Sequence, residues 1–256
     1  MQDIYVKILE LIEQRKPAAL VTVIDTQGST PREVGTKMLV MLDGSIYGTI
    51  GGSAVEALVI AEGKKCIQSG QSMRVTHSLE DPLHHDTGMI CGGRMEFFIE
   101  PIHVPPMLYI FGAGHVALPL ARLADQIGFA CVIIEDRPEF ATRERFPAAR
   151  EILIGQPDLL AEQINFAGND YIAIVSRNHE LDFQILRRVI TKPLHYLGLI
   201  GSKSKRQQTF TRLQEEGISP ELIKTIHTPI GLEIKAKSPE EIAVSIVAEL
   251  IKVKNS

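Results

Sequence analysis

Apolar residues recur at helical spacing from the start of the chain, with Ile4, Ile8, Leu11 and Ile12 on one face. Pro17 ends that helix, because proline supplies no amide for a helix interior. Residues 18–24 form a mostly apolar run rich in β-branched residues and predict a strand. Residues 37–42 and 45–50 predict two more strands, joined at Asp43-Gly44, a hairpin-turn pair. A helix follows over 54–69, then strands over 72–78 and 95–100. Between those two strands runs a polar segment, 80–93, rich in His, Asp and Gly.

The period changes after Pro101, Pro105 and Pro106, which fix φ and withdraw donors and so mark a natural boundary. Strands over 107–111, 131–134, 151–154, 171–175 and 196–200 then alternate with helical stretches, one expected after each. Such alternation predicts a parallel sheet with helices on both faces. Ser238-Pro239-Glu240-Glu241 reads as a capped helix start, and Ile242, Ile246 and Leu250 as its buried stripe. The expected fold class is α/β: a smaller N-terminal α+β domain, residues 1–104, and a C-terminal Rossmann-type domain, residues 105–256.

Composition narrows the function classes. Of 256 residues 45% are apolar and 23% charged, enough for a substantial core. The net charge of −4 argues against a general nucleic-acid binder. The first residues read as an amphipathic helix rather than a secretion signal, and no apolar run approaches the ~20 residues of a membrane span. Cys66, Cys91 and Cys131 are odd in number and widely spaced, which gives neither a disulfide framework nor a zinc pattern. A reducing cytoplasm is the expected compartment.

The sharpest chemistry-bearing motif is a strand running into Gly112-Ala113-Gly114-His115-Val116-Ala117 and then a helix. In this G-x-G-x-x-A pattern the first glycine makes the turn and the second admits a phosphate. Ala117 lets helix pack on strand, and the helix start offers amides to an anion. Glu135 and Asp136 end the next strand at the spacing of a ribose-binding acid. One of these two acids could bind a ribose hydroxyl, Asp136 being the candidate site residue, and Arg137 and His115 could meet a phosphate or remain solvated. Ligands in such sheets bind outside the strands' carboxyl ends, so Arg177 and His179 should face the Gly112 loop. Gly201, Ser202, Lys203, Lys205 and Arg206 offer either an anion site or an exposed basic helix face.

The first half carries three further glycine-rich segments. Residues 28–38 hold Arg32 and Lys37, residues 48–56 hold Gly51, Gly52 and Glu56, and residues 88–93 hold Cys91. Glycines of this kind let backbone amides close on a ligand. Cys91 reads either as an exposed thiolate or as a small buried filler.

Taken together, GSTPREVGTKM, GTIGGSAVE, GMICGG, FGAGHVALPLA, EDRPEF, GLIGSKSKR and the segment from His227 to Ile246 resemble, in order and over nearly the whole chain, the xanthine dehydrogenase accessory factor family of the XdhC/CoxI type. The resemblance implies a protein that binds the molybdenum cofactor, as molybdopterin or its dinucleotide form. It also implies shelter of that cofactor while a cysteine desulfurase supplies a sulfido ligand, and delivery to a xanthine dehydrogenase-type apo-enzyme. A homodimer acting as a maturation chaperone, rather than a catalyst, is the expected form. Ser53 and Ala54 stand where the family often has a glycine and a cysteine, so a thiol role at that position is unavailable and Cys91 becomes the candidate contact to sulfur or molybdenum. The glycine-rich loops of the first domain are expected to close over the pterin from across a cleft. From another class, the Rossmann fingerprint alone also fits an NAD(P)-dependent oxidoreductase.

Overall fold

The computed structural model describes residues 3–79 and 93–256 and, within them, every side chain except those of Ser53, Ala54, Lys203, Ser204 and Lys205. The chain divides into two compact units, Met1–Val104 and Pro105–Ser256.

In the first unit, helix α1 (Ile4–Glu13) starts at Asp3, whose carboxylate accepts from the Tyr5 amide at 3.0 Å. Strands β1 (Ala18–Gly28), β2 (Lys37–Met41) and β3 (Ile46–Gly48) precede helix α2 (Ser53–Ser69), and β4 (Met73–Ser78) and β5 (Gly93–Pro101) follow it. All pairings are antiparallel, in the order β3-β2-β1-β5-β4. The central β1 buries both faces. Ala19, Val21 and Val23 pack with Val55, Val59 and Cys66 of α2, while Ala18 and Leu20 meet Leu11 of α1. The strict period of two along the strand separates these two layers.

The second unit carries β6 (Met107–Phe111), α3 (Ala117–Gln126), β7 (Ala130–Glu135), β8 (Glu151–Ile154), α4 (Pro157–Gln163), β9 (Tyr171–Ile174), α5 (His179–Val189), β10 (Tyr196–Leu199), α6 (Lys203–Glu215), α7 (Pro220–Lys224), β11 (Ile226–His227) and α8 (Pro239–Lys254). Six parallel strands lie in the order β11-β10-β9-β6-β7-β8. The order reverses at β6, and the crevice between β6 and β9 is the topological switch point of a Rossmann-type sheet. Leu108 and Ile110 face the layer of α3 and α8, whereas Met107, Tyr109 and Phe111 face that of α4, α5, α6 and α7. Burial on both faces explains why β6 reads as an unbroken apolar run.

Three features depart from the expected pattern. Residues 136–150, after β7, fold as turns rather than as a helix, with Phe140 and Phe146 held beside the Arg145 guanidinium. Pro138 and Pro147 withdraw amides at both ends of this segment, which disfavours a helix. The short α7 and the two-residue β11 extend the sheet past the last expected strand. β11 pairs in parallel with β10 through Leu197↔Ile226 and Gly198↔His227.

α3 and α8 run side by side in the same direction. At the far edge of the sheet, Lys254 near the end of α8 donates to the Ile127 carbonyl just beyond α3, at 3.4 Å. Both helices therefore begin at the carboxyl edge of the strands. Cys66 and Cys131 are buried free thiols, and burial pushes Cys131 up to about 12. Among the described residues no helix is long and apolar enough to cross a membrane.

Candidate functional site

The carboxyl edge of the second unit is built from a row of backbone hydrogen bonds that continues each strand pairing one step outward. Gly112 donates to Ile134, Val175 to Phe111, Ile200 to Ile174 and Ile230 to Leu199, at 2.8–3.0 Å. The four loops that leave these strands thus lie next to one another in sheet order.

Gly112 is required by its backbone. Its φ is +119°, and a Cβ there would stand 2.6 Å from the Val175 carbonyl oxygen. The turn therefore presses against the end of β9. Gly114 differs: a Cβ there meets nothing within 4 Å, so the space above it is open. α3 has no side-chain cap, and among the described residues none accepts a hydrogen bond from the amides of Gly114, His115 or Val116. Ala117 is fully buried where α3 packs on the sheet, and His115 is exposed. An uncapped helix start beside open space presents amides and the positive end of a dipole to an anion.

At the end of β7 the acids and cations answer one another. Glu135 is buried; its carboxylate accepts from the Ala113 amide at 2.8 Å and from Arg137 Nε and Nη2 at 2.8 and 3.1 Å. Burial pushes this carboxyl up, but the Arg137 guanidinium and the other donors prevail and hold it at about 2. Arg137 also lies over the Phe140 ring at 4.1 Å. Asp136 takes both guanidinium nitrogens of Arg177, at 2.9 and 2.8 Å. This pair reaches from the end of β7 to the loop after β9, across the position of β6. It is partly exposed, so it contributes only about 0–1 kcal/mol.

Beyond β9, Asn178 caps α5, and the buried Asp182 accepts from the Ser176 amide at 3.2 Å. His179 lies 3.7 Å from Asp182 and is otherwise open to solvent. Gly201 and Ser202 follow β10 on the same edge, and α6 begins at Lys203. The backbone thus places the Arg177 and Lys203 segments on the Gly112 side; the Lys203 and Lys205 side chains lie outside those described.

The structure also contains a pocket that the motifs did not indicate, about 480 Å³ in volume. Ile200 and Gly201 form one wall, the loop 229–236 another, and Ile242 and Ser245 of α8 the base. Behind it the loop is anchored by Glu249, which accepts from the Gly231 amide at 2.8 Å, from the Tyr196 hydroxyl at 2.5 Å and pairs with His227 at 3.1 Å. Burial raises the Glu249 carboxyl, yet these partners outweigh it and leave the group below its usual range. Residues 229–232 form part of one wall, but the residues opposite, on α8 and after β10, come from other stretches of the chain, so local reading does not reveal the pocket.

In the first unit, two glycine-rich loops meet. A Cβ on Gly51, whose φ is +132°, would stand 2.3 Å from Pro31. Glu56 turns back on the second loop, accepting from the Ile50 and Gly52 amides at 3.1 and 2.9 Å and from the Thr49 hydroxyl. Those bonds overcome its burial and keep the carboxyl low. Lys37 donates to Thr22 at 3.0 Å, while Arg32 is exposed. Gly93 joins this end of the sheet opposite Gly28. Cys91, the candidate contact to sulfur or molybdenum, lies outside the described residues. Among the described residues no group of three His, Cys, Asp or Glu side chains could hold a metal ion.

A six-stranded parallel sheet with a glycine turn into an uncapped helix defines the second unit as a Rossmann-type domain. Residues 108–250 match the XdhC Rossmann domain model, and residues 11–78 match that of the XdhC and CoxI family. The chain belongs to the XdhC and CoxI family. It is 35% identical over 256 residues to the uncharacterized protein YqeB of Escherichia coli, covering 99% of this chain and 47% of that protein. It is 33% identical over 157 residues to a probable xanthine dehydrogenase subunit of Bacillus subtilis, covering 61% and 46%. It is 22% identical over 276 residues to the E. coli molybdenum cofactor insertion chaperone PaoD, covering 96% and 86%. The chain thus spans about half the length of the first two relatives. A crystal structure described as a xanthine dehydrogenase from Bacillus halodurans shares the fold, with a TM-score of 0.54, 24% identity and coverage of 97% and 96%.

Proposed function

We propose that the chain binds the molybdenum cofactor and serves in the maturation of a xanthine dehydrogenase-type enzyme. The observation that carries this reading is the uncapped start of α3 beside the open space over Gly114, in a member of the XdhC and CoxI family. Two relatives support it by their names, one a molybdenum cofactor insertion chaperone and the other a probable xanthine dehydrogenase subunit. The group fits the residues: its phosphate end suits the amides of Gly114 to Ala117, with His115 exposed beside them. When bound, it supplies the molybdenum centre on which a client enzyme's redox chemistry depends.

In this reading the chain's own residues bind, orient and release. The loop amides and dipole hold the phosphate without a covalent bond, which suits a carrier. Gly201, Ser202 and Lys203 stand on the same edge. In the first unit, the Gly51-Gly52 loop, held by Glu56, and the Arg32 and Lys37 segment are the further contacts we assign. Cys91 is the thiol we assign to sulfur or molybdenum, since Cys66 and Cys131 are sealed. A cysteine desulfurase as sulfur donor, an apo-enzyme as recipient, a homodimeric assembly and a cytoplasmic location complete the proposal.

The test is purification from a molybdate-fed host, with molybdenum and released pterin measured per chain. Wild type should carry both, and Gly114→Val should carry neither while remaining folded, because the added side chain meets open space. Retention by a folded Gly114→Val protein would move the site elsewhere. The alternative of an NAD(P)-dependent oxidoreductase rests on the Rossmann fingerprint, the strand running into Gly112, Gly114 and Ala117, with Arg137 beside it. NADH binding and turnover with a small carbonyl substrate, in place of pterin binding, would establish it.

A further inference from the structure

The two sides of the Gly112 loop are unlike. Toward β7, where a Rossmann domain holds the ribose of a dinucleotide's adenosine, the acids are already engaged. Both oxygens of Glu135 are taken by Arg137 and the Ala113 amide, and both oxygens of Asp136 by Arg177. Opening the exposed Asp136–Arg177 pair costs little, but freeing Glu135 would strip a buried carboxylate of its partners, which is far more costly. The two cations on that side balance the two acids, so the four groups together present no net positive charge to a second phosphate.

Toward β10 and β11 the edge opens instead into the pocket of about 480 Å³. Ile200, Ile230 and Ile234 supply apolar walls, Gly201 and Ala236 leave room between them, and Glu233 and Ser245 add polar groups to the lining. Only β9 separates β10 from β6, so the pocket begins about two strand spacings, roughly 10 Å, from the Gly112 loop along the same edge. It also borders α8, which runs beside α3 and starts at that edge. Unlike α3, α8 is closed to anions by its own cap, Ser238 with Glu241. Along this row, then, an anion is offered amides at α3, and a ring system with apolar faces and a polar edge is offered space at α8.

We infer that the pocket and the Gly112 loop hold one ligand, a planar heterocycle bearing a single phosphate group. The phosphate sits at α3, the ring system runs past the end of β9, and its far end enters the pocket. This inference rests on the proposed function and sharpens it: the form held is molybdopterin itself, not its dinucleotide, whose nucleoside half would need the β7 side. Loop 229–236 then acts as the wall that reads the ring, positioned by Glu249 through the Gly231 amide.

The experiment uses the full chain purified from a molybdate-fed host able to make both cofactor forms. Bound pterin is released, oxidised to its fluorescent derivative and separated with and without its nucleotide. Two variants are compared with wild type: Ala236→Trp, which fills the pocket, and Ile234→Asp, which places a charge on a wall residue that is 48% exposed and so leaves the core intact. Wild type should carry the nucleotide-free form, and each variant should carry at least tenfold less pterin per chain with unchanged circular dichroism. Wild-type occupancy in both folded variants, or predominance of the dinucleotide form in wild type, would overturn the inference while leaving cofactor binding in place. A wild-type chain without any pterin would instead remove the proposed function, and the inference with it.

Discussion

Gly112 and Gly114 stand two positions apart in one motif and are glycines for opposite reasons. Gly112 is dictated by the protein, through a positive φ and the Val175 carbonyl, whereas the space at Gly114 is left for something else. Gly112→Ala should therefore destabilise the second unit by about 1–3 kcal/mol from backbone strain alone, read as a lowered thermal midpoint. Gly114→Val should leave that midpoint near wild type. Glu135 makes a second residue-scale prediction. Its folded carboxyl titrates at about 2, below the ordinary 4.5, so its contribution is present above pH 4.5 and is lost as pH falls from there through 2. Denaturant melts across that range should show the loss in wild type. Glu135→Gln should flatten it and cost about 1–3 kcal/mol at neutral pH, since hydrogen bonds to charged groups weigh most. An unchanged pH profile in the variant would show that Glu135 is not the group responsible.

At the scale of elements, α8 gives the cleanest prediction. Ser238→Ala removes an N-cap and half of its capping box, and should cost about 1 kcal/mol in thermal stability. The same helix shows how far the sequence could be read. Its cap, its first-turn proline and its stripe of Ile242, Ile246 and Leu250 were all legible, because each signal lies within a few residues. The strands β6, β7 and β9 were legible for the same reason. β11 was not: two residues carry no period, and Ile226 and His227 become a strand only because β10 lies beside them. The turns over 136–150 were missed because the expectation of a helix came from alternation elsewhere in the domain, not from Phe140, Arg145 and Phe146 themselves. At the site, the glycine loop and the acids were visible, but not that Glu135 and Asp136 would be claimed by Arg137 and Arg177. Pairings of that kind depend on which strands become neighbours.

For the whole molecule, each unit closes hydrophobic clusters of its own, around β1 in one and β6 in the other. Chains ending at Val104 or starting at Pro105 should each fold, with cooperative melts and native-like circular dichroism; a Pro105–Ser256 fragment lacking a cooperative transition would show that the boundary cuts a shared folding unit. The burial of Cys66 and Cys131 has a further consequence, one of stoichiometry. A thiol reagent acts on the thiolate; burial holds Cys131 near 12 and pushes Cys66 up as well, so both offer little thiolate at neutral pH. The chain has three cysteines, so the folded protein should consume at most one equivalent of a disulfide reagent promptly, and all three only in denaturant. Whatever colour develops first then reports on Cys91 alone, and its rate, followed with and without bound cofactor, makes a single unmodified wild-type sample a probe of the glycine-rich segment around that residue.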